Sequence, residues 1–205
     1  MRLAGEFYIK DGIGLAKDLL GKVLVKRQGD HILKGRIVET EAYLGPEDRA
    51  SHAWNGKKTK RTRIMYKSGG TTYVYLIYGM YHCFNVVAYV KGIPHAVLIR
   101  AVEPIEGIEI MRENRKRCEG YSLSNGPGKL CGALGITKKE DDRDLTTDCD
   151  IWIEDDGYLP ERISQSRRIG VDYAMEYKEK LWRYYIEGNP WVSKLKREEK
   201  NDKSF

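Results

Sequence analysis

Two runs of the chain, Arg36–Tyr43 and Tyr73–Tyr78, alternate in side-chain character with the two-residue period of a β-strand. The first run carries two carboxylates, Glu39 and Glu41, at alternate positions. We therefore expect Ile37, Glu39, Glu41 and Tyr43 to share one face of a strand. Five tyrosines fall within positions 66–81, so the second run adds aromatic side chains. These two runs predict a sheet that carries acidic and aromatic groups.

Basic residues cluster between the two runs. Four of the five positions 57–61 are basic, namely Lys57, Lys58, Lys60 and Arg61, and a second basic cluster spans Arg112–Arg117. The formal net charge is +6, which by itself is also compatible with ordinary variation. Clustered Lys and Arg side chains are typical of surfaces that bind a phosphate backbone. The clusters therefore make a nucleic acid a candidate ligand.

The length and composition favour one globular domain. A chain of 205 residues can bury a real core, and no run of about 18 apolar residues predicts a membrane span. The N-terminal segment has no long apolar run, so we expect a cytoplasmic, nucleoid-associated or nuclear protein that is not secreted. The four cysteines form no Cys-x-x-Cys pair and are expected to be reduced, without a zinc site. No cofactor and no membrane partner are expected.

Helical and strand patterns are mixed along the chain. Helices are predicted at Leu15–Leu20, from Glu103 to about Arg115, and after the glycine-rich turn Ser124–Lys129. Strands are predicted at Val23–Arg27, Ile32–Tyr43, Tyr73–Tyr78, His82–Val90, Ala96–Val102, Ile151–Glu154 and Trp182–Ile186. This order indicates an α+β fold, a single compact mixed domain (residues 1–205) around a mostly antiparallel sheet. The charged segment 195–205 is expected to fray.

Several polar residues stand in apolar surroundings. Arg100 lies inside an apolar strand and needs a carboxylate, a phosphate or solvent, because an unpaired buried charge is costly. Asn85 must be hydrogen-bonded if it is buried. Glu39 and Glu41 mark either a solvated strand face or a site. A lone histidine such as His52 is more often structural than functional. The turn before Lys129 could bind phosphate through backbone N–H groups, although it lacks the full P-loop pattern.

Several longer blocks of the sequence resemble those of a known protein family. They are Arg36–Asp48 with Ser51-His52, Tyr73–Tyr81 with Asn85, Val97–Pro104, Gly126–Cys131, Arg143–Leu145 and Gly188–Ser193. In this order they resemble the alkyladenine (3-methyladenine) DNA glycosylases over nearly the whole chain. The sequence departs from many relatives at Ser68-Gly69-Gly70, where they have a proline, and at Gly128, where they have a serine. Gly128 removes one hydroxyl that could contact phosphate.

The resemblance implies a fold, an activity and a set of roles. The family has one mixed domain with a curved antiparallel sheet, needs no metal, and excises alkylated or deaminated purines from double-stranded DNA. The implied catalytic residues are Glu41, as the base that activates water, and Arg100, which helps to hold that water. Tyr43, His52 and Tyr75 are implied to sandwich the flipped base.

Further residues are implied to contact DNA or to select the base. Asn85 is implied to crowd the 2-amino group of guanine, and Tyr78 to wedge into the base stack. The residues expected along the DNA backbone are Lys57, Lys58, Lys60, Arg61, Met80, Tyr81 and Lys129. Glu39 is expected to pair structurally with a basic residue. No lysine lies in the Glu41 or Tyr75 block, which favours a monofunctional enzyme, and a monomer is expected.

Two other functional classes are open at this point. A nucleic-acid-binding module without catalysis would explain the tyrosines and the basic clusters, but not the carboxylates among them. A metal-dependent hydrolase could use Glu41, His52 and His82, although no His-x-x-x-His or similar ligand spacing occurs.

Overall fold

The longest strand, β2, organises the sheet. The computed structural model describes residues 1–193, so the charged tail predicted at 195–205 lies outside the described residues. The helices in this range are α1 (Gly12–Asp18), α2 (Ile108–Asn114) and α3 (Pro127–Ala133). The strands are β1 (Val23–Gln28), β2 (His31–Leu44), β3 (Thr72–Ile77), β4 (Tyr81–Ala88), β5 (His95–Glu106), β6 (Ile151–Glu154), β7 (Ile163–Ser166) and β8 (Arg183–Ile186).

All strand pairs are antiparallel. The main order is β3-β4-β5-β2-β1-β6, and β8 pairs with both β2 and β7. The segment Glu39–Glu41 of β2 is therefore held between β5 on one side and β8 on the other. The sheet is curved and does not close. The α+β prediction is confirmed.

The main apolar core lies between the sheet and helices α1 and α3. Leu15 and Leu19 of the first helical segment and Leu130 of α3 are fully buried against the sheet residues Phe84 and Ile99. Burial of each such side chain stabilises the fold by roughly 1.5–3 kcal/mol. Cys83 and Cys131 are buried, as expected, and none of the four cysteines is in a disulfide.

The prediction that a helix begins at Glu103 is wrong. Strand β5 continues through Pro104 to Glu106, and α2 begins only at Ile108. Pro104 pairs with Gly35 next to a register shift, where a missing backbone donor is tolerated. Gly107 then turns the chain with φ +74°, at a place where a Cβ atom would lie 2.4 Å from Leu33 Cδ2. Tertiary packing therefore overrides the local helix-start pattern.

The predicted alternation of β2 is wrong at its centre. The pairing of β2 with β5 shifts between Ile37 and Glu39, which leaves Val38 in a β-bulge. Ile37 consequently belongs with Val38 and Ala42 in the main core rather than on the face of Glu39. Glu39 and Glu41 are both fully buried, which excludes the alternative that they mark a solvated strand face.

Candidate active site

A cavity of about 580 Å³ opens on the sheet face opposite the main core. The alternation of the strands explains this position: Tyr73 and Tyr75 line the cavity while Val74 between them points into the core. The volume is in the range of ligand sites in proteins. The lining includes eight of the predicted site residues, Tyr43, His52, Tyr75, Tyr78, Tyr81, Asn85, Arg100 and Lys129.

Glu41 lies directly behind the cavity wall. Its Oε1 atom accepts a hydrogen bond from the Ile169 backbone N–H over 2.7 Å, and its Oε2 atom accepts the Tyr43 hydroxyl over 2.8 Å. Arg100 NH1 is 3.3 Å from Oε2. Tyr43, Arg100 and Ile169 all line the cavity. Within residues 1–193 the Oε1 atom accepts this one hydrogen bond from Ile169, so it retains lone-pair capacity for a further donor.

The local electrostatics keep Tyr43 and Arg100 in fixed protonation states. Burial and the neighbouring Glu41 carboxylate raise the pKa of Tyr43 well above its ordinary value, so Tyr43 remains a hydrogen-bond donor. Burial alone would lower the pKa of Arg100, but Glu41 and Glu39 outweigh burial and raise it. Arg100 therefore stays cationic beside Glu41, as its need for a carboxylate predicts.

Glu39 supports Arg100 from the other side. Its Oε1 atom accepts Arg100 Nε over 2.8 Å, Arg183 Nε over 2.7 Å and Ser193 Oγ over 2.7 Å. Its Oε2 atom accepts the backbone N–H of Ser193 over 2.7 Å. Burial alone would raise the pKa of Glu39, but the two arginines and Ser193 lower it overall. The structural pairing expected for Glu39 is confirmed.

The aromatic wall consists of His52, Tyr73 and Tyr75. His52 Nδ1 is 2.8 Å from the Tyr73 hydroxyl, and the His52 and Tyr75 ring centroids are 4.7 Å apart. Burial, Arg61 and Lys57 lower the pKa of His52 to about 4, so the imidazole is neutral at pH 7. Asn85 is buried beside the wall, and its amide donates to the Tyr73 carbonyl over 3.0 Å, which satisfies the expected hydrogen bond.

Tyr78 projects from the cavity rim. It follows the end of β3 in the turn to β4 with φ +52°, a conformation uncommon for a residue with a side chain. Its side chain is 84% exposed, which excludes a core role. Met80 and Tyr81 follow, 65% and 45% exposed. Gly128 packs against this turn, because a Cβ atom there would be 3.0 Å from Tyr81 Cβ.

The predicted basic residues occupy two places. Lys57, Lys58, Lys60 and Arg61 are exposed on the loop after His52. Lys129 lies at the cavity, with its Nζ atom 2.8 Å from Asn125 Oδ1. Of these residues, Lys129 lines the cavity, and Arg61 contacts the cavity residue Tyr73 through a hydrogen bond. Glu41, Met80 and the loop lysines do not line the cavity.

Sequence reasoning missed the segment after β7. Arg168 and Asp48 form a fully buried ion pair with contacts of 2.5 and 2.9 Å, and the Arg168 guanidinium lies 4.8 Å from the Tyr43 ring centroid. This pair anchors the chain just before Ile169, whose N–H binds Glu41. Tyr173, 67% exposed, also lines the cavity. Arg167 and Arg168 are adjacent in the sequence, but no local signal shows that Arg168 is the one that is buried.

Two negative findings concern the part of the chain that the structure describes. Within residues 1–193, no group of three or more His, Cys, Asp or Glu side chains is placed to hold a metal ion. In the same range, no helix has the length and apolar character needed to cross a membrane.

Comparison with known proteins identifies the family. The sequence profile of methylpurine-DNA glycosylase matches residues 6–190. The chain belongs to this family. The match spans β1–β8, and so it includes Glu41, the cavity and the Tyr78 turn.

Bacterial relatives agree with the family match. The chain is 50% identical over 202 residues to a protein of Clostridium tetani, covering 95% of this chain and all of the relative. It is 49% identical over 204 residues to one of Clostridium perfringens, with the same coverage. It is 48% identical over 199 residues to one of Natranaerobius thermophilus, covering 94% and 99%. Each relative is named "Putative 3-methyladenine DNA glycosylase".

Proposed function

We propose that this protein is a base-excision repair enzyme that flips a damaged purine out of duplex DNA and hydrolyses its N-glycosidic bond. The observation that carries the proposal is the buried Glu41 carboxylate, held by Tyr43, Arg100 and Ile169 immediately behind an aromatic cavity. A protein that only bound DNA would gain nothing from a buried, oriented carboxylate, which is expensive to desolvate. Membership of the methylpurine-DNA glycosylase family supports the same activity.

The cavity suits an extruded base. A base inside a duplex cannot present its sugar carbon to an enzyme, so it must leave the stack at a cost of a few kcal/mol. Stacking on aromatic side chains returns about 1–3 kcal/mol per base. Tyr43 and the His52–Tyr75 wall supply such surfaces. The exposed Tyr78 would fill the gap that the extruded base leaves behind.

Glu41 supplies the chemistry. Cleavage of the N-glycosidic bond builds positive charge at the sugar, which a nearby carboxylate stabilises. The free acceptor position on Glu41 Oε1 can take a proton from an attacking water, while Arg100 and Tyr43 hold Oε2. Alkylated purines already carry positive charge and leave easily. Hypoxanthine is neutral and needs a proton donor.

The proposed substrates are 3-methyladenine, 7-methylguanine, ethenoadenine and hypoxanthine. We propose a monofunctional reaction by a monomeric enzyme, which leaves the abasic strand intact. Lys129 is the lysine found in the cavity lining within residues 1–193, so it is the residue to test for a covalent imine with the sugar. A borohydride-trapped adduct between enzyme and DNA would contradict the monofunctional mechanism.

The test uses end-labelled duplexes that contain hypoxanthine, ethenoadenine or no lesion, together with methylated DNA from which released bases are counted. Each duplex is incubated with the wild type, Glu41→Gln, or the exposed control Glu47→Gln, and half of each sample is treated with hot alkali. We expect alkali-dependent breaks with the wild type and Glu47→Gln, and a loss of at least about 10²-fold with Glu41→Gln. Intact DNA binding without base release from any lesion would favour a non-catalytic DNA-binding protein.

A further inference from the structure

Arg61 touches the aromatic wall from outside the cavity. Its Nε atom donates to the Tyr73 hydroxyl over 3.3 Å, and its NH2 atom is 3.4 Å from His52 Nε2. Its guanidinium carbon lies 4.7 Å from the Tyr75 ring centroid. Arg61 does not line the cavity, whereas all three of these partners do. One exposed side chain therefore contacts every member of the wall.

The contacts of Arg61 determine the proton position on His52. A guanidinium can only donate hydrogen bonds, so its contact with His52 Nε2 favours the tautomer in which Nε2 accepts and the ring proton lies on Nδ1. Nδ1 then donates to the Tyr73 hydroxyl at 2.8 Å. The charge of Arg61 also opposes protonation of His52, together with burial and Lys57. Arg61 thus keeps the wall neutral and in one tautomer.

We propose that Arg61 is a specificity-determining residue of the base pocket, a fixed positive charge behind the wall that disfavours cationic purines relative to neutral ones. The proposal rests on the proposed function. Arg61 lies 4.7 Å from the Tyr75 ring centroid and does not line the cavity, so we infer that a base stacked on the cavity face of Tyr75 would lie about 8 Å from the guanidinium. At that distance and a protein dielectric of about 20, charge repulsion corresponds to roughly a thirtyfold effect on binding, and screening of the exposed Arg61 by water and salt reduces this to about fivefold to tenfold.

Arg61 can instead be read as one more phosphate contact of the basic loop. The geometry favours the wall, because the guanidinium is already engaged by Tyr73, His52 and the Tyr75 ring. Lys58 differs: its Nζ atom lies over the ring of Tyr66, 5.2 Å from the centroid, and has no contact with the wall. The two readings predict different responses to salt, since each phosphate contact contributes about 0.9 to the slope of log affinity against log salt.

The experiment compares Arg61→Met with Arg61→Lys, Lys58→Met and the exposed control Lys91→Met. Single-turnover release is measured for cationic 7-methylguanine and for neutral hypoxanthine and ethenoadenine. Arg61→Met should raise the ratio of cationic to neutral release by about fivefold to tenfold. Arg61→Lys, which keeps the charge, should stay within about twofold of the wild-type ratio. Lys91→Met should leave the ratio unchanged.

Two further measurements distinguish a role of Arg61 at the aromatic wall from a role as a phosphate contact. The imidazole of His52, titrated by NMR in the free protein, should have a higher pKa in Arg61→Met than in the wild type, because one of the causes that lower it is removed. The salt slope of DNA binding should fall with Lys58→Met and stay unchanged with Arg61→Met. An unchanged base ratio, or a salt slope that falls as much as for Lys58→Met, would overturn the proposal.

These measurements test the glycosylase reaction and the effect of Arg61 on the aromatic wall separately. If the wild type releases no base, the glycosylase reaction and the specificity role of Arg61 are both rejected. A raised His52 pKa in Arg61→Met would then still show that Arg61 acts on the wall. If the wild type releases bases but the ratio does not change, the glycosylase proposal stands and the specificity proposal alone is wrong.

Discussion

The Nε atom of Arg100 donates a 2.8 Å hydrogen bond to Oε1 of Glu39, and both side chains are almost completely buried. This bond fixes one end of the guanidinium while its other end faces Glu41. The two carboxylates of β2 thus have different tasks. Glu39 holds the arginine, and Glu41 is left next to the cavity with an acceptor position free.

Glu39→Gln should destabilise the protein. Removing the charge takes the Glu39 carboxylate away from the buried guanidinium groups of Arg183 and Arg100, which leaves Arg100 with its contact to Glu41, and breaking a buried pair costs about 3–5 kcal/mol. Chemical denaturation measures the change in unfolding free energy. The control is Glu109→Gln, because Glu109 is 77% exposed in its pair with Arg112 and should cost no more than about 1 kcal/mol. Equal effects of the two changes would contradict the importance of the buried network.

Tyr78→Ala should weaken binding to lesion-containing DNA without lowering the melting temperature, because the side chain is 84% exposed. The comparison is Tyr73→Ala, which removes a ring that is 1% exposed and should cost about 3–5 kcal/mol of stability. Fluorescence anisotropy and thermal denaturation measure the two quantities. A lower melting temperature with unchanged DNA affinity for Tyr78→Ala would rule out the wedge.

The stability of the protein should depend on pH through His52. Its pKa is about 4 in the folded protein and 6.5 without the surrounding structure, so the unfolded chain binds more protons between these values. The stabilising contribution is fully present above pH 6.5 and is lost as the pH falls through about 4. His52→Gln should flatten the fall of stability in this window, measured by urea denaturation.

Two other histidines make this pH experiment interpretable. Burial also lowers the pKa of His95, so His52→Gln should remove only part of the pH dependence. The exposed His31 provides the control, and His31→Gln should leave the profile as in the wild type. A His52→Gln profile identical to that of the wild type would show that His52 is not protected from protonation in the folded protein.

DNA affinity should fall steeply with salt if the loop after His52 meets phosphates. Replacing the exposed Lys57, Lys58 and Lys60 together by Gln should lower the slope of log affinity against log salt by about 2.7, from about 0.9 per contact. Lys91→Gln, an exposed lysine in the turn between β4 and β5, serves as the charge-matched control for a single site. An unchanged slope in the triple variant would exclude these lysines as phosphate contacts.

Local pattern was sufficient for much of the sheet. The hairpin of β1 and β2, the strands around Tyr75 and Ala96–Val102, and the α+β class all follow from side-chain period and turn residues, which act over a few positions. The paired state of Arg100 was also predictable, because any buried charge needs a partner. The side chains that share each face of β2 were not predictable in the same way. The bulge at Val38 arises from pairing with β5, a strand more than 60 residues further along the chain.

The sequence by itself determined that Glu39, Glu41, Tyr73, Tyr75 and Arg100 belong to the sheet, because strand period and the cost of burying charge are local or general effects. Only the tertiary structure decided which donor reaches which carboxylate oxygen. Glu41 meets the N–H of Ile169, 128 positions along the chain, and Glu39 meets Ser193, 154 positions along. Such contacts depend on how distant segments pack together, and no short-range pattern encodes them.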